Sequence, residues 1–435
     1  MITFMQIRNN VAYFHKIVLT FSWNVLFYTK NKEMHMYYER TLSGIVKKAT
    51  KSFKVVLITG PRQVGKSTLF DSLKEENRTK VTLDDTDVLA LAKHDPNLFF
   101  QTYQPPILID EVQKAPELLQ HIKKIVDSTN EKGLFWLTGS QKFNLMQGVS
   151  ESLAGRVAIL DLQGLSQAEK ENDTSRPAFV PDIPLQTKRP IWNAMQTFDM
   201  IYKGSYPQLF DGVTDWELYY KSYRDTYLMR DVRDIIKLED ETVFSRFMKI
   251  LASRTSQVLN YADIASDVGI SPNTAKSWIN ILKTLGIIYL LQPYFENNIG
   301  KRFSKTPKMY FMDTGLCAYL CGLNSGEMIY NSHLSGAFVE TYVISEIIKS
   351  YIHNGKNPNI YYYRTSNQEE IDLIIETNNK VYPIEIKQSA TPNISMAKNF
   401  KLIDENKRGI GAIICLSEKF IPLNKDTYII PISYI

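Results

Sequence analysis

The chain has 435 residues, 44% apolar and 22% charged, with a formal net charge of +5. That length exceeds one comfortable hydrophobic core and predicts several domains, and an aromatic content of 12% excludes a disordered chain. The near-balanced charge permits a nucleic-acid partner without demanding one, while three cysteines, Cys317, Cys321 and Cys415, are too few for a disulfide framework and fit a reducing cytoplasm.

Residues 1–36 read as a poorly defined leader. The apolar run Ile17 to Tyr28 follows Lys16 but is too short to span a bilayer, contains Ser22 and Asn24, and has no small-residue cleavage site after it. An overcalled start, with Met34 or Met36 as the first residue, explains it more simply. No other stretch is long and apolar enough to cross a membrane.

From residue 37 to 169 the pattern is α/β. Val55 to Thr59 reads as a short buried strand, Gly60-Pro61-Arg62-Gln63-Val64-Gly65-Lys66-Ser67-Thr68 follows, and Ser67 to Glu75 reads as helix. Strand, glycine loop and helix in that order form a P-loop. Gly60 and Gly65 let backbone N–H groups wrap phosphates, Lys66 supplies a point charge, Ser67 is placed for magnesium, and the helix dipole favours the same anion. ATP and magnesium are the expected ligands, against the alternative of an ordinary glycine-rich turn.

Further strands are expected at Lys80 to Leu83, Ile107 to Ile109, Leu134 to Thr138 and Val157 to Leu162, which predicts a parallel sheet covered on both faces. Asp84 and Asp85 end the first of these and either line the cleft or cap the next helix. Asp110 and Glu111 end the second in the Walker B manner: the aspartate to hold magnesium, the glutamate to polarise the attacking water. Transition-state charge also calls for an arginine from the same or a neighbouring subunit. Arg156 is the first candidate and Arg230 or Arg233 the second, with a surface salt bridge as the plain alternative for each.

Residues 170–190 are polar and proline-bearing and read as a linker or excursion. Residues 191–322 read as mostly helical. Within them Tyr261 to Ser271 and Pro272 to Leu285 form a helix, a glycine turn and a second helix, capped by Ser271 and stopped by Gly286 before a strand at Ile287 to Leu291. This is a winged-helix pattern. Asn273, Lys276, Ser277 and Asn280 are expected on the exposed face of the second helix, and Lys301, Arg302, Lys305 and Lys308 form a basic run after it, so DNA is the expected partner. Cys317 and Cys321 stand at the spacing of one helix face, not of a zinc site.

Residues 334–435 mix a long helix with strands. Glu340 lies on the helix, Asp372 on one strand, and Glu385 and Lys387 on the next, across the turn Thr377-Asn378-Asn379-Lys380. Alternation lets Asp372, Glu385 and Lys387 share one face, the set with which endonuclease-like cores hold magnesium beside an attacking water. A salt-bridged hairpin is the alternative.

Four segments carry a wider resemblance: Leu57 to Thr68, Ile109-Asp110-Glu111-Val112-Gln113, Leu137-Thr138-Gly139-Ser140-Gln141 and Leu153-Ala154-Gly155-Arg156. With them the chain, from about Tyr37 to its end, resembles bacterial and archaeal AAA-type ATPases that carry a carboxyl-terminal domain of unknown function. The resemblance implies ATP binding and hydrolysis, a central winged-helix region and a distal restriction-endonuclease-like fold. In an AAA-type core the polar residue ending the third strand senses the γ-phosphate, which makes Ser140 and Gln141 candidates. Two functions compete: an ATPase coupled to DNA binding or processing, and an ATP-controlled regulatory or defence switch whose distal domain only binds. Either is compatible with a homo-oligomer.

Overall fold

The computed structural model describes residues 26–30, 33–140, 148–149, 151–182, 189–235, 240–295 and 306–435. Gln141, Lys301, Arg302 and Lys305 lie outside the described residues. Strands β1 (Leu26–Lys30) and β2 (Glu33–Tyr37) pair as an antiparallel hairpin, and the helix Leu42–Ser52 follows.

Five strands then build a wholly parallel sheet: β3 (Val55–Thr59), β4 (Thr79–Thr82), β5 (Ile107–Asp110), β6 (Phe135–Gly139) and β7 (Val157–Asp161), in the order β4-β5-β6-β3-β7. The sheet expected from the alternating strands and helices is present. All five residues of β3 are buried, as expected of a strand covered on both faces. Because side chains alternate, Val55 and Leu57 face a core closed by the helices Thr86–His94, Pro96–Thr102 and Leu118–Asp127. Val56 and Ile58 face a second core, which runs on without interruption into the rest of the chain. Strand β6 lies between β3 and β5, so the glycine loop and the acidic pair flank its end across a crevice.

The middle of the chain carries a series of helices. Helix Tyr261–Val268 stops at Gly269, whose φ of 83° is the left-handed turn that glycine adopts freely. Helix Pro272–Thr284 starts with proline in its first turn and with Ser271 Oγ accepting the Thr274 N–H at 3.0 Å. Three antiparallel strands, β8 (Gln257–Val258), β9 (Ile288–Leu291) and β10 (Lys308–Phe311), close this region in the order β8-β10-β9.

The distal part packs helix Ser335–His353 against a six-stranded mixed sheet. Strands β11 (Ile360–Arg364), β12 (Glu370–Thr377) and β13 (Lys380–Lys387) run antiparallel, β14 (Gly411–Cys415) and β16 (Thr427–Pro431) continue parallel to β13, and β15 (Ile421–Asn424) edges the sheet. Asn378 and Asn379, with φ of 51° and 62°, make the tight turn joining β12 to β13, a conformation that asparagine tolerates better than most residues.

The described part of residues 170–190 is packed in places, with Ser175, Pro177 and Asp182 exposed. Ala178 and Phe179 are buried, and the segment lies along the long helix: the Phe179 N–H donates to Ser350 Oγ at 3.1 Å, and Tyr351 OH donates to Phe179 O at 3.1 Å. Among the described residues no helix is long and apolar enough to cross a membrane. Cys317 and Cys321 share the helix Thr314–Cys321, as their spacing suggests, and all three cysteines are free.

Candidate functional site

The glycine loop leaves β3 at Gly60, with φ of 142°; a Cβ there would stand 2.0 Å from Leu162 O, so only glycine fits. The loop turns through Gln63 (φ 61°) and Gly65 (φ 92°) into helix Lys66–Leu73. Pro61 and Val64 are buried in its wall, Arg62 and Gln63 half-buried, and Thr68 exposed. Lys66 is buried, and its Nζ donates to Gly60 O at 3.1 Å and Pro61 O at 2.7 Å. Burial pushes its pKa down to about 8, against the opposing pull of the Glu111 carboxylate.

The acidic side faces the loop across the end of β6. Ser67 Oγ donates to Asp110 Oδ1 at 2.6 Å, and Thr138 Oγ1 donates to the same oxygen while accepting the Glu111 N–H at 3.0 Å. Hydroxyl and carboxylate oxygens at this point are hard donors of the kind magnesium prefers, so the residues fit the ion. Glu111 itself has φ of 58°, which swings its side chain out of the strand direction. Its Oε2 accepts from Ser140 Oγ at 3.1 Å and from Gln113 Nε2. Thr138 and Gln113 stand inside the motif segments read from the sequence, but nothing local there assigns either a role.

Asp84 and Asp85 do not join this crevice chemistry directly. Asp85 caps the helix Thr86–His94, and Asp84 pairs with Lys114 at 2.5 Å. Arg156 is likewise not brought to its own loop. Its carbonyl accepts from Val55 N at 3.3 Å, which places it at the opposite end of β3, and its guanidinium pairs with Asp127 at 2.5 Å. Arg230 is exposed and Arg233 pairs with Glu241 at 2.5 Å.

From that second arginine segment the residue that reaches the loop is Asp231, through Arg62. The middle region touches the loop again at Gly286, where an added Cβ would stand 3.1 Å from Pro61 Cγ. A third tie is buried: Arg40 donates to Val64 O and Gln163 O, both at 2.7 Å, and pairs with Glu169 at 3.1 Å. Glu169 in turn meets His353 Nδ1 at 3.2 Å, at the end of the long distal helix. Burial lowers the His353 pKa even beside Glu169, and the Gln163 N–H donates to its Nε2 at 3.2 Å, so the ring stands as the neutral Nδ1–H tautomer.

The distal carboxylates are brought close but are matched by lysines. Lys387 Nζ lies 3.0 Å from Asp372 Oδ2 and 2.6 Å from Glu385 Oε2. Burial, reinforced by the Asp372 charge, raises the Glu385 pKa to about 8. Glu340 is engaged by the middle region: Lys308 Nζ at 3.1 Å and Tyr310 OH at 2.6 Å share its Oε1, and Ser256 Oγ donates to Oε2 at 2.9 Å. Burial raises its pKa, and the nearby Asp372 charge adds to the rise against the pull of Lys308. Lys308 pairs with Glu370 as well. Lys308, expected in an exposed basic run, is thus a buried internal cation. Among the described residues no group of three or more His, Cys, Asp or Glu side chains is placed to hold a metal ion.

Comparison with known proteins fits this geometry. Residues 52–170 match the AAA domain family, 195–327 the domain of unknown function DUF8612, and 335–435 the domain of unknown function DUF4143. Uncharacterized proteins of Mycobacterium tuberculosis and Mycobacterium bovis are each 29% identical over 399 residues, covering 91% of this chain and 84% of theirs. Among solved structures, a Walker-type ATPase of Pyrococcus abyssi is 15% identical with a TM-score of 0.36, over 65% of this chain and 96% of its own. The Thermotoga maritima RuvB Holliday junction branch migration motor is 17% identical with a TM-score of 0.29, over 57% and 88%. The family match, the parallel sheet and the glycine loop agree: residues 52–170 are an AAA-type P-loop domain of the nucleotide-binding class, followed by two modules of unknown function.

Proposed function

We propose that the chain is a magnesium-dependent ATPase whose nucleotide site is geared to a DNA-contacting middle region. The observation that carries the proposal is the pairing of Ser67 with Asp110 beside an oriented Glu111. In this reading Gly60 to Thr68 wrap the phosphates, and Lys66 Nζ exchanges the Gly60 and Pro61 carbonyls for phosphate oxygens. Ser67 and Asp110 hold magnesium, which when bound neutralises phosphate charge. Glu111 takes the proton of the attacking water, and Ser140 stands where the γ-phosphate would be sensed.

Coupling is supported by the two contacts of the middle region with the loop, Asp231 on Arg62 and Gly286 beside Pro61. Gly286 ends the second helix of a winged-helix-like unit whose Asn273, Lys276, Ser277 and Asn280 face outward: three of them are polar donors or acceptors for DNA, and Lys276 is a phosphate contact. Arg156 lies at the far end of β3 from its own loop and pairs with Asp127; in this reading it would act only at a neighbouring subunit's site, within a homo-oligomer. The test is ATP turnover by purified protein with magnesium or with chelator, with and without DNA. Turnover stimulated by DNA supports the reading, and magnesium-independent or absent turnover counts against it.

A second reading concerns the distal module. Its restriction-endonuclease-like strand pattern and the contact of Lys387 with Asp372 and Glu385 support a relation to nucleases, but Lys308, a cation outside that set, already neutralises Glu340 and Glu370. That charge balance favours a non-catalytic binding platform over cleavage. Metal-dependent cleavage of DNA or RNA, lost in Asp372→Ala and Glu385→Ala, would reverse that preference.

A further inference from the structure

The ATPase reading asks Glu111 to take a proton, and its surroundings fix where the carboxylate points. The left-handed backbone is costly for a non-glycine residue, and Thr138 Oγ1 holds the Glu111 N–H from the neighbouring strand. At the other end of the side chain two neutral donors converge on one oxygen: Ser140 Oγ and Gln113 Nε2 both donate to Oε2. Gln113 Nε2 also lies 3.3 Å from Ser140 Oγ, so the three side chains form a closed triangle.

The lone pairs of Oε2 are then committed, and proton acceptance falls to Oε1. The orientation of the Gln113 amide follows from the same chemistry, since turning it over would set its carbonyl against a carboxylate oxygen. In the orientation that serves Glu111, Gln113 Oε1 is buried with no hydrogen-bond partner among the described residues. Leaving a buried acceptor unsatisfied is costly, so the amide is arranged for the carboxylate rather than for its own hydrogen bonding. Among the described residues its side chain bonds to nothing outside this site.

We propose that Gln113 is a positioning residue for ATP hydrolysis: with Ser140 it pins Glu111 Oε2 and so presents Oε1 to the attacking water. This rests on the ATPase reading. Gln113→Met keeps the volume and removes the donor, and Gln113→Glu keeps the shape while replacing the donor with an acceptor. Both are expected to lower kcat by about 10- to 100-fold, a fraction of what general-base catalysis supplies, with KM and the Kd for a fluorescent ATP analogue within about twofold of wild type because no phosphate contact is touched.

The decisive measurement is single-turnover hydrolysis on a Glu111→Gln background, where Gln113→Met should cost nothing further because no base remains to be aimed. A loss that persists there, an unchanged kcat in both single variants, or a KM and Kd that rise together would overturn the assignment. Failure of the underlying reading looks different: wild-type protein that binds ATP without turning it over, or Glu111→Gln turning over at the wild-type rate, removes the base itself, whatever the Gln113 variants do.

Discussion

Arg62 Nε lies 2.9 and 2.8 Å from the two carboxylate oxygens of Asp231, so a side chain in the middle of the P-loop is held by a helix outside the AAA domain. Both side chains are largely buried, at 14% and 8% exposed. A phosphate arriving at the loop competes with that carboxylate for the same guanidinium. Asp231→Asn keeps the shape and removes the competing charge. It should tighten ATP binding by roughly three- to tenfold, a coupling of the usual allosteric size, read by titration of a fluorescent ATP analogue. Weaker binding would mean that Asp231 supports the loop rather than restrains it.

Lys66→Ala should abolish turnover and weaken nucleotide binding, because the loop loses its point charge over the phosphates. Glu111→Gln should instead keep ATP bound and slow hydrolysis by about 10²- to 10⁴-fold, the usual worth of a general base. Parallel measurement of Kd and kcat separates the two. Equal loss of both in Glu111→Gln would make it a structural residue.

Removing Lys308 should unfold more than it frees. Its side chain is 6% exposed and serves Glu340 and Glu370 at once, and stripping one partner from a buried ion pair costs about 3–5 kcal/mol. Lys308→Met should therefore lower Tm clearly, and adding Glu340→Gln should restore part of the loss. Additive losses in that pair would show that the two side chains do not interact energetically.

Stability should fall between neutral and mildly acidic pH, and His353 should be one cause. Its pKa is held below the ordinary value by burial, with Glu169 pulling the other way and Arg40 and Lys349 adding to the depression. Below about pH 6.5 the unfolded chain takes up a proton that the folded chain refuses. The contribution is thus complete above that pH and is lost as pH drops through the folded value. His353→Gln should flatten urea-unfolding stability in this window. It should leave the steeper acid loss that begins in the carboxylate range, where Glu169, held well below that range despite its burial by Arg40 and His353, must be protonated.

For DNA, Lys276→Ala should weaken binding and reduce the slope of log affinity against log salt by about one, as expected for one lost phosphate contact. ATP turnover without DNA should not change, because Lys276 is exposed on the helix far from the Gly286 contact. An unchanged slope would assign this face to protein partners.

The parallel strands and the glycine loop were legible because short apolar runs, glycines and a following helix are local signals. The turn at Asn378 and Asn379 and the cap at Ser271 were legible for the same reason. What sequence could not give is decided across distance. The insertion of β6 between β3 and β5 is a pairing choice that leaves no local trace, and it is what lets Thr138 and Ser140 hold Asp110 and Glu111. Lys308 reads as one of a run of surface bases until the fold sets Glu340 and Glu370 against it. Arg156 reads as a plausible partner for ATP until strand direction puts it at the wrong end of its own sheet.

The helix Ser335–His353 carries Glu340 near its start and His353 at its end, about 20 Å apart at the usual helical rise. One end is fastened by Lys308 of the middle region, the other by Glu169 of the AAA side, and its apolar faces Phe338, Val339, Ile344 and Ile347 belong to the same continuous core as Ile58 of β3. A chain cut just before this helix would lose the cover of a shared core and leave Glu169 and Lys308 without these partners. The distal module therefore behaves less like a tethered passenger than like a keystone, so the natural unit of this protein for expression, melting and evolution is the joined whole rather than its three parts.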